Sequence, residues 1–250
     1  MSKVITFGIG GLFGITGDTP AQAVNFGILQ EITPEFSFTE KELRGQRQFA
    51  EAVARTGGKI SCKAKNAKIQ IDVYAKLFFN LTPASGELLA AIEEAHDIPA
   101  TPGPYTVTAT HGADYDTDLG VLFEYATDDW RPMTRVTAGP TTGQYSVNTT
   151  TGVYTFAAAD QGKSVKLSYL YTGASGETLT ITNDLMDLVP TFKVVMSTKF
   201  QNKTVTWILN ACSSSKLSFP MKSEDWMIPE FDFSAQADAS GNIGKISITK

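Results

Sequence analysis

Hydrophobic and polar positions alternate with a period of two on both sides of a charged stretch, between Phe26 and Lys68. In the first run Phe26, Ile28, Ile32, Phe36 and Phe38 share one parity, and Leu29, Glu31, Thr33, Glu35, Ser37 and Thr39 share the other. In the second run Ile60, Cys62 and Ala64 alternate with Lys59, Ser61, Lys63 and Lys65. Side chains alternate faces along a strand, so each run predicts one dry face and one wet face. Phe26 to Phe38 is thirteen residues, roughly 43 Å of strand at ~3.3 Å per residue, where about five or six residues is usual. The stretch joining the runs, Glu40–Thr56, reads as a charged loop too long for a tight hairpin.

Elsewhere the pattern punctuates shorter elements. Residues 4–16 read as an apolar, Gly-rich strand, with an apolar face of Val4, Ile5, Phe7 and Ile9, closed by a turn at Gly17-Asp18-Thr19-Pro20. From Ile69 to Phe79 the spacing becomes four (Ile69, Val73, Leu77 and Tyr74, Phe78), which predicts a short amphipathic helix ending near Asn80. Thr82-Pro83 then caps a second expected helix through SGELLAAIEEAH, residues 85–96. Beyond PATPGP at 99–104, short β runs between turn residues prevail: YTVTAT, GVLFEY, GVYTF and SVKLSYLYT, then TLTIT, TFKVVMSTKF, KTVTWILNAC, PEFDFSAQAD and KISIT. The expectation is a mainly β chain, sandwich or barrel, with one or two flanking α-helices. It divides into residues 1–104, an elaborated β subdomain at 105–171, and 172–250.

Composition narrows the function more than it names one. The 250 residues carry 21 Lys and Arg against 26 Asp and Glu, a net charge of −5, which argues against a surface that grips nucleic acid through its phosphates. No apolar run approaches the ~20 residues of a membrane span, and MSKVITFGIGG lacks the cleavage site of a signal peptide. Cys62 and Cys212 sit in strand-like runs and read as buried free thiols of a chain made in the cytosol.

Candidate chemistry is thin. GIGGLFG follows a strand but has Phe13 where a dinucleotide fingerprint needs its third glycine. Asp114-x-Asp116-x-Asp118 imitates half a calcium loop, with Gly120 one place late and Tyr125 where the bidentate Glu belongs. A solvated acidic turn is the better reading. His96 and His111 have no partner at metal-ligand spacing, Gly173-Ala174-Ser175-Gly176 is a turn, and Glu93-Glu94 and Asp128-Asp129 are mere sequence neighbours. No catalytic residue, metal or cofactor is expected.

Four stretches, in this order, resemble the major tail tube proteins of long-tailed, non-contractile bacteriophages. They are FGILQEITPEFSFTEKELRGQRQFA, GGKISCKAKNAKI with the helix ending LFFN, GQYSVNTTTGVYTFAAADQGKSVKLSYLY, and DWMIPEFDFSAQADASGNIG. The resemblance implies a tail-tube-type β-sandwich with a flanking helix, forming hexameric rings that stack into a hollow tube in the virion. That tube would enclose the tape measure protein, meet the tail terminator and the baseplate or tail-tip proteins, and conduct double-stranded DNA at ejection. It also implies that Leu29, Glu31, Thr33, Glu35, Ser37 and Thr39, with Ser61 and Lys63, face the bore. Phe26, Ile28, Ile32, Phe36 and Phe38 would then pack on the helix 69–79. The loop holding Glu40, Lys41, Glu42, Leu43, Arg44, Arg47, Phe49, Glu51 and Arg55 would contact the next ring.

A net −5 per subunit becomes about −30 in a ring of six, which would let DNA slide. Lys59, Lys63 and Lys65 do not fit a uniformly acidic wall; either they pair with Glu31 and Glu35 or a neighbour covers them. Two other classes fit the same pattern. One is a different virion component, a head decoration protein or a bacteriocin-like tube; the other is a carbohydrate-binding β-sandwich, for which Trp130, Trp207 and Trp226 are too scattered.

Overall fold

The alternating runs around the charged stretch do form two long paired strands of a mainly β molecule, described by a computed structural model over residues 8–183 and 189–249. Strand β3 (Leu29–Leu43) and strand β4 (Ala52–Asn66) are fifteen residues each and pair antiparallel from Leu29↔Asn66 to Leu43↔Ala52. The chain divides into two compact units, with boundaries after Pro83 and after Thr178.

In the first unit one twisted sheet runs in the order β2 (Ala23–Asn25), β1 (Gly11–Thr16), β13 (Phe192–Phe200), β14 (Lys203–Ser218), β15 (Glu230–Gln236), β4, β3. The sixteen-residue β14 also pairs β16 (Gly244–Ile248) through Val205–Leu209, and β15 through Ala211–Ser218. All of these strands except the exposed β16 send alternate side chains to one core. Leu12, Phe26, Cys62, Val194, Cys212, Phe231 and Phe233 are almost wholly buried there, under a helix that contributes Val73, Tyr74, Leu77 and Phe78. That helix, α1 (Ile71–Tyr74), continues as a wider π turn over Ala75–Phe79 and stops at Asn80, whose φ of 52° is left-handed. The stop and the Val73, Tyr74, Leu77, Phe78 face thus hold, while Ile69 precedes the helix and is exposed. Both cysteines are free and buried. Of the N-terminal face, Val4, Ile5 and Phe7 lie outside the described residues, and Ile9 is exposed.

The second unit, Ala84–Thr178, is a sandwich of two four-stranded sheets with its own core. One sheet is β5 (Ala84–Asp97), β12 (Ser164–Thr178), β7 (Tyr115–Ala126), β8 (Asp129–Pro132); the other is β6 (Thr106–Thr108), β11 (Val153–Phe156), β10 (Gln144–Asn148), β9 (Thr134–Arg135). In SVKLSYLYT, Val165, Leu167 and Tyr169 are fully buried on one face, and Tyr171, of the same parity, is half-buried.

The second helix, expected at 85–96, is instead β5, paired with β12 from Thr178↔Ala84 to Ser164↔Asp97. Local propensity favoured helix, but β12 leaves a fifteen-residue edge beside β7, and cross-strand pairing outweighs a preference of a few tenths of a kcal/mol per residue. A register shift near Ser168 accommodates the poor alternation; there Glu93 takes a φ of 55° and its N–H donates to Ser168 Oγ at 3.1 Å. With the helix gone, the unit boundary falls at 83/84 rather than at 104/105, and at 178/179 rather than 171/172.

Candidate functional site

The rungs of β3, β4, β15 and β14 bring polar residues from four strands into rows on one face of the sheet. Glu31 lies opposite Lys65, Lys65 opposite Glu230, and Glu230 opposite Ser218. The next rows are Thr33, Lys63, Asp232 and Lys216, then Glu35, Ser61 and Ser234, then Ser37 and Lys59. Thr39 follows, opposite Gly57. The predicted polar residues Glu31, Thr33, Glu35, Ser37, Thr39, Ser61 and Lys63 are therefore one surface, and β15 and β14 complete it. A shallow depression of about 380 Å³ lies among Glu31, Thr33, Lys63, Lys216 and Asp232.

Charges on this surface balance. Lys65 sits between Glu31 (3.2 Å) and Glu230 (3.6 Å), and the hydrogen bond and charge of Glu31, with the charge of Glu230, hold its ammonium above its ordinary range. Four carboxylates (Glu31, Glu35, Glu230, Asp232) face four ammoniums (Lys59, Lys63, Lys65, Lys216), so the chain's net −5 is carried elsewhere. The surface is neutral and finely mixed, as its lysines had already argued against a uniformly acidic one. Pairing with Glu31 was one of the two alternatives for the lysines, and for Lys65 it holds.

Leu29 is a correction. A bulge between Leu29/Asn66 and Glu31/Lys65 inserts Gln30 and reverses parity, so Leu29 is buried in the core rather than on the polar face. The opposite parity is also only partly as expected. Phe26 is fully buried and stacks on Phe231 at 4.8 Å, which in turn meets Phe78 of the helical segment; Ile32 packs against the same core. Ile28, Phe36 and Phe38 are not covered by the helix: they are 57%, 43% and 53% exposed. Ile28 precedes the strand, and Phe36 and Phe38 lie where the sheet narrows. Phe36 leans on Trp207 (5.9 Å), and Phe38 lies under the Arg55 guanidinium (4.3 Å).

The narrowing has a structural cause. Pairing of β4 with β15 ends at Ile60↔Ala235, yet β3 and β4 stay paired to Leu43↔Ala52. Glu40–Leu43 and Ala52–Arg55 are therefore strand, not loop, and only residues 44–51 connect them. The Arg-Thr-Gly-Gly segment at 55–58 runs through the ladder with a bulge opposite Thr39 and Glu40. Residues 37–43 of β3 and 52–59 of β4 thus project as a two-stranded arm, roughly 23 Å long. It carries Glu40–Arg55 (3.7 Å) and Glu42–Arg44 (2.5 Å) ion pairs, and exposes Leu43 (64%), Phe49 (83%) and Val53 (57%). Among the described residues, β3 pairs along its whole length on one side only, with β4.

No family model and no curated protein matches the chain. Its site must be read from geometry.

Three features escaped the sequence reading. Asp118, assigned to a solvated acidic turn, has a side chain only 3% exposed; it accepts from Tyr145 Oη (2.7 Å) and Tyr154 Oη (3.1 Å) and faces Arg135 (3.5 Å). Glu94 is no idle neighbour of Glu93. It accepts from Tyr169 Oη (2.5 Å) and from Thr110 N (2.9 Å) and Oγ1 (2.8 Å), and contacts His96 Nε2 (2.5 Å), whereas Glu93 pairs with Lys166 (2.7 Å). Burial opposes its charge, but these hydrogen bonds win and bring its carboxyl down to about 2. The third is the segment 219–229, where Met221 and Trp226 are 82% and 85% exposed between Pro220 and Pro229. An aromatic in a turn-rich, charged segment was the available signal.

Among the described residues, no group of three or more His, Cys, Asp or Glu is arranged to hold a metal, and no helix is long and apolar enough to cross a membrane. The three tryptophans form no platform: Trp207 packs on the core, and Lys166 Nζ lies 4.4 Å above Trp130.

Proposed function

We propose that this chain is a self-assembling structural subunit of a hollow tube, like the major tail tube proteins of long-tailed bacteriophages that its sequence resembles. The observation that carries the reading is the β3–β4 hairpin. Its strands are fifteen residues long, β3 is an unpaired edge over that length, and the outer half stands free as a two-stranded arm with exposed Phe38, Leu43, Phe49 and Val53. An isolated two-stranded hairpin is marginal in water, and a long open edge invites pairing with another chain. Both features make sense in an assembly that covers the arm and closes the edge. The mixed, balanced polar face then lines the bore, as the interiors of wide barrels are polar. With no net field it neither grips a duplex by its phosphates nor traps it, so DNA passes.

In this reading six copies form a ring, rings stack around the tape measure protein, and the finished tube belongs to the virion. The arm, with Arg44 and Arg47 at its tip, spans from one ring to the next. Negative-stain microscopy of the concentrated protein tests the reading: tubes are expected. Arg44→Glu/Arg47→Glu should keep the wild-type thermal melt and stop at single rings. Tubes of normal length from that folded variant would remove the arm from stacking, and a wild type that stays monomeric at all concentrations would remove the tube.

A further inference from the structure

Two exposed apolar features of the first unit lie at opposite ends of one sheet. The hairpin tip, residues 44–51, closes the Leu43/Ala52 end. The segment Phe219–Pro229 joins β14 to β15 at the other end, where Ser218, Glu230, Lys65 and Glu31 form one row. From Glu31 to Leu43 is twelve residue steps, roughly 40 Å, so tip and segment cannot meet within one chain.

Their chemistry is complementary. The tip presents Phe49, 83% exposed, with Arg44, Arg47 and Glu51, a net +1. The segment presents Met221 and Trp226 with Lys222, Glu224 and Asp225, a net −1. Beside Trp226 is a depression of about 260 Å³, walled by Pro220, Ile228, Lys222, Asp225 and Glu31. That is smaller than the ~300–1,000 Å³ of small-molecule sites and suits one protruding side chain. Among the described residues, Arg47 and Glu224 form no ion pair within the chain, while Lys222 and Asp225 pair with each other at 3.5 Å.

We propose that the segment Phe219–Pro229 of one copy receives the hairpin tip of the next, with Phe49 seated against Trp226 and Arg47 facing Glu224. This rests on the tube reading and names the receptor that the reading lacks. A contact between two different patches of identical chains is heterologous, so it propagates rather than closing on itself as a two-fold dimer does. An aromatic anchor in an aromatic-walled pocket with charged rims is also the usual composition of an energetic centre.

Two measurements on the full chain test it. In Phe49→Cys/Trp226→Cys, assembled and mildly oxidised, denaturing electrophoresis should show a ladder of covalent multimers, because the native Cys62 and Cys212 are buried and no intramolecular bridge can span the hairpin. Dimers from Phe49→Cys alone would mean that tip meets tip, and would overturn the proposal. Separately, Arg47→Glu and Glu224→Arg should each raise the critical concentration for assembly roughly tenfold or more, and combining them should restore it. Wild-type tubes with neither ladder nor rescue would overturn the receptor and leave the tube standing. A wild type that forms no tubes would overturn both.

Discussion

Glu94 shows how a single carboxylate can tie one unit together. Four hydrogen bonds join β5 to Tyr169 on β12, to Thr110 after β6 and to His96 along its own strand. Its carboxyl titrates near 2 in the folded chain against an ordinary 4.5, so its contribution is fully present above about pH 4.5 and is lost as pH falls towards 2. Glu94→Gln should therefore cost about 1–3 kcal/mol at pH 7 and much less near pH 2, read from urea melts at both values. The cysteines make the opposite point. Burial pushes both thiols up to about 12, with Cys62 adding a small repulsion to Cys212, so neither supplies thiolate at neutral pH. A thiol reagent such as dithionitrobenzoate should label neither in the folded protein and both in denaturant. Labelling at the folded-state rate of an exposed thiol would contradict the burial.

At the scale of elements, the hairpin and β5 both hold more strand than their local sequence suggests. The hairpin was expected to end in a large loop, because a charged stretch, Glu40–Thr56, separates the two alternating runs. Pairing carries into that stretch because Glu40 meets Arg55 and Phe38 lies under its guanidinium, which stabilises a ladder lacking a packed face. Amides of 37–43 and 52–59 should exchange with solvent fast in the free subunit and slow roughly tenfold or more on assembly, measured by hydrogen exchange. Equal exchange in both states would leave the arm without a docking role. β5 was expected to be helical because Glu, Leu and Ala are helix formers, and only its pairing to β12 reverses that preference.

At the scale of the whole molecule, the second unit is an insertion with adjacent ends. Thr178 pairs directly with Ala84, so the chain leaves and re-enters the first unit through neighbouring strands, ~5 Å apart. Its core, centred on Tyr154, Val165, Leu167 and Tyr169, is built wholly from its own residues. Residues 84–178 expressed alone should fold cooperatively, and a chain with them replaced by a short Gly-Ser link should keep the wild-type capacity to assemble. Circular dichroism melts and sedimentation check the two halves. A link variant that is folded but monomeric would assign assembly to the inserted unit.

What the amino-acid sequence settles by itself is what depends on neighbours along the chain: the two-residue period of β3, β4, β12 and β15, the helix that stops at Asn80, and the polar set Glu31, Thr33, Glu35, Ser37, Ser61 and Lys63. These follow from side-chain geometry within a single strand or turn. Tertiary structure alone decided whatever needed a distant partner. The bulge at Gln30 buries Leu29 because β4 fixes the register, and residues 85–96 are strand because β12 offers an edge. Asp118 is dry because Tyr145 and Tyr154 close over it, and the polar face is neutral because β15 and β14 bring Glu230, Asp232 and Lys216 beside the lysines of β4. Pairing between strands far apart in sequence has no local signature, and burial and charge balance are sums over such pairs.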